Sequence, residues 1–174
     1  MLCFTATVQI TFLPSVLPNV FEVFKYEQTA ALKLAGTVVM CYTATAMVGA
    51  YVWSRLSRRI GLYRMITLLF ILGILLQSML TFSRGIVDFT VIRMLQTAFV
   101  AATFPLVISI FASGSKGSVI GFLNASRFAG NAMGPIIATS MLAYFNLTTL
   151  YFFISGLTLL ALLGFRAFFK SSTI

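Results

Sequence analysis

The chain contains no histidine and only three carboxylates among its 174 residues. Histidine is the commonest general base, and metal sites are usually built from clustered histidine, cysteine and acidic side chains. The three acids are not paired within an apolar segment, and no glycine-rich phosphate-binding loop is present. The two cysteines, Cys3 and Cys41, lie in or near apolar stretches, where cysteine acts as a small packing residue. The sequence therefore predicts no enzyme and no catalytic, metal or cofactor site.

Charge is also scarce, because only 9% of the residues are charged whereas 60% are hydrophobic. The mean hydropathy is +1.03. Water-soluble domains carry about 25% charged residues, so this chain has too few to cover a globule in polar side chains. Its composition predicts an all-α membrane protein in contact with the lipid bilayer.

Apolar segments of about 20 residues, the length that crosses a bilayer as a helix, recur along the chain. The six predicted spans are approximately Leu2–Phe24, Ala30–Trp53, Leu62–Phe82, Ile86–Ala112, Ser118–Tyr144 and Leu150–Phe169. A secretory signal is the competing interpretation of the first span, but that segment has no basic start. Pro14 and Pro18 suit a broken spanning helix better. Because the connections are short, residues 1–174 are expected to form one six-helix bundle.

Basic residues gather at one set of helix ends. These ends carry Arg55, Arg58, Arg59, Arg64, Lys116, Arg166 and Lys170. The opposite ends carry nearly balanced charge, from Lys25, Lys33, Arg84, Glu22, Glu27 and Asp88. The net charge of +9 thus follows the excess of cationic residues in cytoplasmic loops, and it does not indicate a nucleic-acid partner. We expect a multi-pass protein of the cytoplasmic (inner) membrane with both termini in the cytoplasm.

Arginine occurs at depth in two of the predicted spans. Arg127 lies near the middle of the fifth, and Asn124 and Asn131 share its face at helical spacing. Charge inside a membrane is expensive and usually faces a cavity or a polar partner. This polar stripe is interpreted as a solute pathway, and the alternative is that Arg127 only locks the bundle by bonding a neighbouring helix.

Arg93 lies nearer the outer end of the fourth span. It can reach the membrane interface or Asp88, or it can form an inward polar face with Gln96. In the first span Gln9 and Asn19 are further polar candidates for the cavity, and Thr11, Ser15 and Asn19 recur on one face. That face is interpreted either as a solute contact or as a polar packing seam.

Small residues and prolines indicate close packing and bending. Gly117 and Gly121, then Gly130 and Gly134, allow another backbone to approach the fifth helix, and Pro135 weakens it. Pro14 and Pro18 predict a kink in the first helix. The third and sixth helices are almost wholly apolar and are expected to face lipid, in a three-plus-three arrangement.

Three motifs resemble those of the major facilitator superfamily of transporters. The string RFAGNAMGP at 127–135 resembles the eleventh helix of that family, most closely in bacterial drug–proton antiporters. The run RLSRRIGLYR at 55–64 is similar to the family's loop signature G-D-R-x-G-x-x-[RK], and RMLQ at 93–96 is similar to R-x-x-Q-G. The signature's Gly and Asp are replaced by Ser57 and Arg58, a departure that is commoner in the C-terminal half of the family.

The resemblance implies that the chain corresponds to helices seven to twelve of a twelve-helix fold. In that case residues Arg55, Arg58, Arg59, Gly61 and Arg64 form a cytoplasmic gating loop. The missing half implies a partner, either an N-terminal six-helix half on the same or a separate chain or a second copy of this chain.

The sequence is consistent with two functions. In the first, the chain is a secondary active transporter, or its C-terminal half, and moves small organic or drug-like solutes by alternating access. In the second it is a truncated membrane fragment or assembly partner without transport activity. A channel is a weaker alternative, since no filter-like loop or ring of carboxylates is evident.

Overall fold

The computed structural model of the chain describes the backbone of residues 1–26, 28–112 and 117–171. It describes the side chains of residues 1–26, 30–111 and 117–168. Within these ranges the chain forms eight α-helices, with a short 3-10 turn at Leu80–Phe82. The helices are α1 (Leu2–Thr11), α2 (Leu13–Val23), α3 (Gln28–Ile60), α4 (Leu62–Met79), α5 (Ile86–Val100), α6 (Thr103–Ala112), α7 (Gly117–Tyr144) and α8 (Leu147–Ser171). Among the charges assigned to helix ends above, Glu27, Lys116 and the side chain of Lys170 lie outside the described residues.

Two of the predicted spans are each built from two helices. α1 and α2 meet at Phe12 and are bent by 41°. Pro14 follows at the start of α2, so one backbone donor is missing where the chain turns, and Pro18 removes a second donor inside α2. α5 and α6 follow one another closely and together form the apolar run Ile86–Phe111.

Four stretches are long and apolar enough to cross a membrane, and the bent α1–α2 pair makes a fifth. These four are Ala30–Ile60, Leu62–Phe82, Ile86–Phe111 and Leu147–Phe168. α7 has 28 residues, which exceeds the spanning length, but it also carries the polar side chains of Asn124, Arg127 and Asn131. The helical class is therefore confirmed in the described residues, while the sixth span and the three-plus-three arrangement stay predictions.

The basic run that was predicted to be a loop is helical. α3 continues to Ile60 and carries Arg58 and Arg59 in its last turn, and α4 starts at Leu62. Gly61 is the single residue between them, with φ of 95°, a conformation that glycine adopts without strain. The loop prediction was wrong because no residue before Gly61 breaks the helix.

The helices differ in how far the rest of the chain covers them. α1 packs on α7, α3 packs on α5, and α4 packs on both α5 and α8. In the most apolar part of α3 only 17% of the residues are buried, against 39% in α4 and in α8. In α7 the buried residues are Gly130, Gly134 and Ala138. α3 and α7 therefore present the most open faces of the bundle.

α4 and α8 carry exposed large apolar side chains, and their expected contact with lipid stays a prediction. Exposed large side chains on α4 include Leu68, Ile71 and Leu75, and those on α8 include Phe152 and Leu160. These residues are separated by helical spacings, so each helix presents one continuous apolar surface.

Candidate functional site

Arg93 lies in the interior of the bundle, with 1% of its surface exposed. Its Nη1 donates to Oε1 of Gln96 at 2.6 Å. Its Nη2 donates to the backbone carbonyls of Gln9 at 2.8 Å and Ile10 at 2.9 Å. Of the two positions that the sequence left open for Arg93, the structure shows the inward one beside Gln96.

The bend between α1 and α2 explains why a carbonyl is available to Arg93. In a continuous helix the carbonyl of Ile10 would accept from the N–H of residue 14, but that residue is Pro14 and has no N–H. The guanidinium supplies the missing donor. The buried Arg93 of α5 thereby hydrogen-bonds to the kink that Pro14 of α2 produces.

Aromatic rings complete the surroundings of the buried cation. Cζ of Arg93 lies 5.2 Å from the ring centroid of Phe12 and 5.1 Å from that of Tyr42. A cation within about 6 Å of a ring face is attracted by the ring quadrupole. Two carbonyls, one amide oxygen and two rings therefore stabilise the charge of Arg93, and no carboxylate of the described residues contributes to it.

The Arg93 network extends through buried amides to two further helices. Nε2 of Gln96 donates to Oε1 of Gln77 on α4 in a very short contact. Nε2 of Gln9 donates to Oγ1 of Thr158 on α8 at 2.9 Å. The network joins α1, α4, α5 and α8 in the middle of the bundle, and we call Arg93, Gln96, Gln77, Gln9 and Thr158 the Arg93 network.

Three buried atoms of the Arg93 network have no hydrogen-bond partner among the described residues. They are Oε1 of Gln9, Nε2 of Gln77 and Nε of Arg93. A buried polar group without a partner destabilises the fold by about 1–3 kcal/mol. The hydrogen-bonding groups of the network are thus only partly paired, so its members contribute unequally to stability.

Arg127 has the opposite surroundings, because its side chain is exposed on α7. Its Cζ lies 4.6 Å from the ring centroid of Phe104 on α6. Asn131 is also exposed and Asn124 is half-buried, and both lie on the same face at spacings of three and four residues. This polar stripe is left uncovered by the other helices of the chain.

The other face of α7 packs tightly against α1. A Cβ atom added at Gly130 would lie 2.6 Å from the carbonyl oxygen of Phe4, and one added at Gly134 would collide with Oγ1 of Thr11. The close approach predicted for this glycine pair is confirmed. Gly117 and Gly121 meet nothing within 4 Å among the described residues, so no neighbour from this chain approaches that pair and its role in packing stays a prediction. Pro135 lies inside α7, which continues through it to Tyr144.

The polar residues of the first span lie on both sides of the bend between α1 and α2. Thr11 ends α1 and donates to the carbonyl of Thr7, whereas Ser15 belongs to α2 and donates to the carbonyl of Phe12. The bend at Phe12 separates them, which a pattern based on an unbroken helix does not anticipate. Asn19 is exposed near the end of α2 and lines a cavity there.

The predicted cavity residues therefore fall in three places. Gln9, Arg93 and Gln96 belong to the buried network, Arg127, Asn124 and Asn131 form the open stripe, and Asn19 lies at the far end of α2. Two network members were missed by the sequence analysis, namely Gln77 and Thr158. The isolated amide of Gln77 in the apolar run ILGILLQSML was the signal, since a polar group in such a run usually faces protein.

Comparison with known proteins shows the family of the chain. A family model described as Major Facilitator Superfamily matches residues 1–173. The chain belongs to the major facilitator superfamily. No curated protein and no solved structure matches it. Members of the major facilitator superfamily are transporters that move small solutes across lipid bilayers, so the apolar helices and the polar groups between them belong to a transport protein of the membrane.

Proposed function

We propose that the chain forms the C-terminal six-helix half of a secondary transporter and moves small organic or drug-like solutes by alternating access. In this proposal α1 with α2, α3, α4, α5 with α6, α7 and α8 are the six spans. The observation that carries it is the exposed Arg127 in the middle of a helix of spanning length.

A charge in lipid has an unfavourable free energy. Arg127 lies ten residues after Gly117, about 15 Å along α7, which is close to half of a bilayer's hydrocarbon thickness. An arginine at that depth against acyl chains is unfavourable by about 2.5–3.5 kcal/mol on insertion scales. The cation–π contact with Phe104 offsets about 0.5–1 kcal/mol of this at an exposed site. Water or a second protein surface must therefore cover the stripe of Arg127, Asn124 and Asn131.

A partner bundle accounts for the open faces of the molecule. α3 and α7 are the helices least covered by the chain, and the exposed side chains of α3 include Thr37, Thr43 and Met47. A second six-helix unit packed on these faces would enclose a water-filled path beside Arg127. That unit is an N-terminal half on the same or a separate chain, or a second copy of this chain. Rocking of the two units would expose the path to each side in turn.

The charge pattern supports the orientation of this half-transporter. Arg55, Arg58, Arg59 and Arg64 are exposed around the α3–α4 junction, where a cytoplasmic gate is expected. Both termini then lie in the cytoplasm, and the membrane is the cytoplasmic one. The similarity of residues 127–135 to drug–proton antiporters supports efflux of organic solutes by exchange.

Transport by the reconstituted chain together with its partner six-helix unit tests the proposal. We expect Arg127→Ala to lower solute flux at least about tenfold, the effect of losing about 1.4 kcal/mol of interaction, while the amount of protein in the membrane is unchanged. Arg166→Ala is the matched control, because Arg166 is an exposed arginine of α8 outside the polar stripe. Equal flux for wild type and Arg127→Ala would remove Arg127 from the transport path.

A further inference from the structure

A second polar feature lies at the end of the molecule where α2 and α7 end and α8 begins. It is a cavity of about 670 Å³. Its polar lining consists of Asn19, Glu22, Thr81, Ser83, Asn146, Thr148 and Tyr151. Its apolar lining consists of Val20, Val23, Phe24, Leu80, Leu142, Phe145 and Leu147. The volume lies within the range of about 300–1,000 Å³ that is usual for small-molecule sites, and Arg127 does not line it. We call it the Glu22 cavity.

Glu22 is the only carboxylate in this lining, which contains no lysine, arginine or histidine. It is one of three carboxylates in a chain of net charge +9. Among the described residues it has no ion pair, although the exposed Lys25 follows three residues later. Glu22 also borders a neighbouring cavity of about 440 Å³ together with Tyr26. A carboxylate without a cationic partner therefore faces open space on two sides.

The remaining lining suits an apolar body better than a small inorganic ion. Phe24, Phe145 and Tyr151 present three aromatic rings to one cavity. Aromatic rings offer a large apolar contact surface. Oγ1 of Thr81, in the 3-10 turn after α4, is buried and has no partner among the described residues, so it offers one unused hydrogen-bonding group at the cavity wall.

We propose that the Glu22 cavity binds a monovalent organic cation with an apolar body. The ammonium group lies against the carboxylate of Glu22, and the apolar part lies among Phe24, Phe145 and Tyr151. The same chemistry is offered by a free amphiphilic amine and by the ethanolamine headgroup of a lipid. The binding proposal does not depend on transport, since it is measured at equilibrium.

The test uses the full chain in an uncharged maltoside detergent and a phenylpropyl trimethylammonium salt as the probe. We expect saturable binding by calorimetry, and no binding of the neutral analogue in which carbon replaces the nitrogen. Glu22→Gln keeps the size of the side chain and removes its charge, so it should raise the Kd about tenfold, as for loss of one charge-assisted contact.

Asp88→Asn is the matched control for Glu22→Gln. Asp88 is an exposed carboxylate in the first turn of α5 and does not line the Glu22 cavity. We expect its Kd to stay within about twofold of wild type, because an exposed charge outside the cavity is screened by water and salt. Leu142→Trp provides a second variant, since the larger side chain should fill part of the cavity and weaken binding without altering any charge.

Added lipid distinguishes the two sources of the cation. Competition by phosphatidylethanolamine but not by phosphatidylglycerol identifies a lipid headgroup as the occupant, and no competition by either identifies a free amine. Both outcomes support the cation site. Absence of saturable probe binding to wild type, or equal Kd values for wild type and Glu22→Gln, would overturn it.

Discussion

Arg93 and Arg127 are the same residue type in two apolar helices, yet the fold treats them in opposite ways. Arg93 is buried and bonds two carbonyls and an amide within the chain, whereas Arg127 is exposed and its guanidinium lies over the ring of Phe104. The surroundings of Arg93 are completed by this chain. Those of Arg127 are not, and under the proposed function water or another molecule completes them. In that proposal Arg93 belongs to the structural frame of the transporter and Arg127 to the surface that lines the solute path.

The largest expected effect is the difference in the free energy of unfolding between alanine variants of the two arginines. Arg93→Ala leaves the carbonyls of Gln9 and Ile10 and the amide oxygen of Gln96 without their donor, so we expect a loss of about 2–4 kcal/mol in the free energy of unfolding. Arg127→Ala removes only an exposed cation–π contact, and the expected loss is below about 1 kcal/mol. Helix content followed by circular dichroism during unfolding in mixed micelles measures both. A larger loss for Arg127→Ala than for Arg93→Ala would reverse the assignment of frame and surface.

The next largest expected effect is the difference in stability between glycine-to-alanine variants on the two faces of α7. Gly130→Ala forces a methyl group against the carbonyl of Phe4, and overpacking of this kind usually costs about 1–3 kcal/mol. Gly121→Ala is the matched control, because nothing lies within 4 Å and alanine favours the helix by up to about 1 kcal/mol. The same unfolding measurement should give opposite signs for the two variants. Equal signs would mean that α7 does not pack on α1 through Gly130.

The smallest expected effect is the change in stability when Gln77 of the Arg93 network is replaced. Gln77→Leu leaves Nε2 of Gln96 unpaired but also removes the unpartnered Nε2 of Gln77. The two changes oppose each other, so stability should change by less than about 1 kcal/mol. Gln96→Leu, by contrast, leaves Nη1 of Arg93 without its acceptor and should lower the free energy of unfolding by about 1–3 kcal/mol. A Gln77→Leu loss as large as that of Gln96→Leu would show that the Gln77 amide has a partner in the membrane.

Much of the fold follows from the sequence because the period and length of apolar segments are local properties. The helices Leu62–Met79 and Gly117–Tyr144 begin and end within a residue or a few of their predicted limits. The positions where helices break were harder to predict from the sequence. The kink of the first span was expected from Pro14, but the bond that Arg93 donates from another helix to the carbonyl of Ile10 was not.

The candidate site was predicted less completely, for a physical reason. A polar residue in an apolar run must find a partner or water, but helical spacing gives its face and not what covers that face. The pairing of Arg93 with Gln96 was one of the two alternatives that the sequence left open, and it could be stated because both residues lie on α5. The partners Gln77 and Thr158 come from α4 and α8, and only the packing of the bundle brings them together.

Thiol labelling in the membrane tests the central contrast most directly. In a background with Cys3→Ala and Cys41→Ala, the account predicts that Arg127→Cys reacts with a membrane-impermeant maleimide applied to both sides of vesicles. Thr97→Cys, one turn from Arg93 and 1% exposed, should react only after unfolding. Failure of Arg127→Cys to react in the folded protein, with full reaction after unfolding, would place that position in lipid or in a dry contact and contradict a water-filled path beside Arg127.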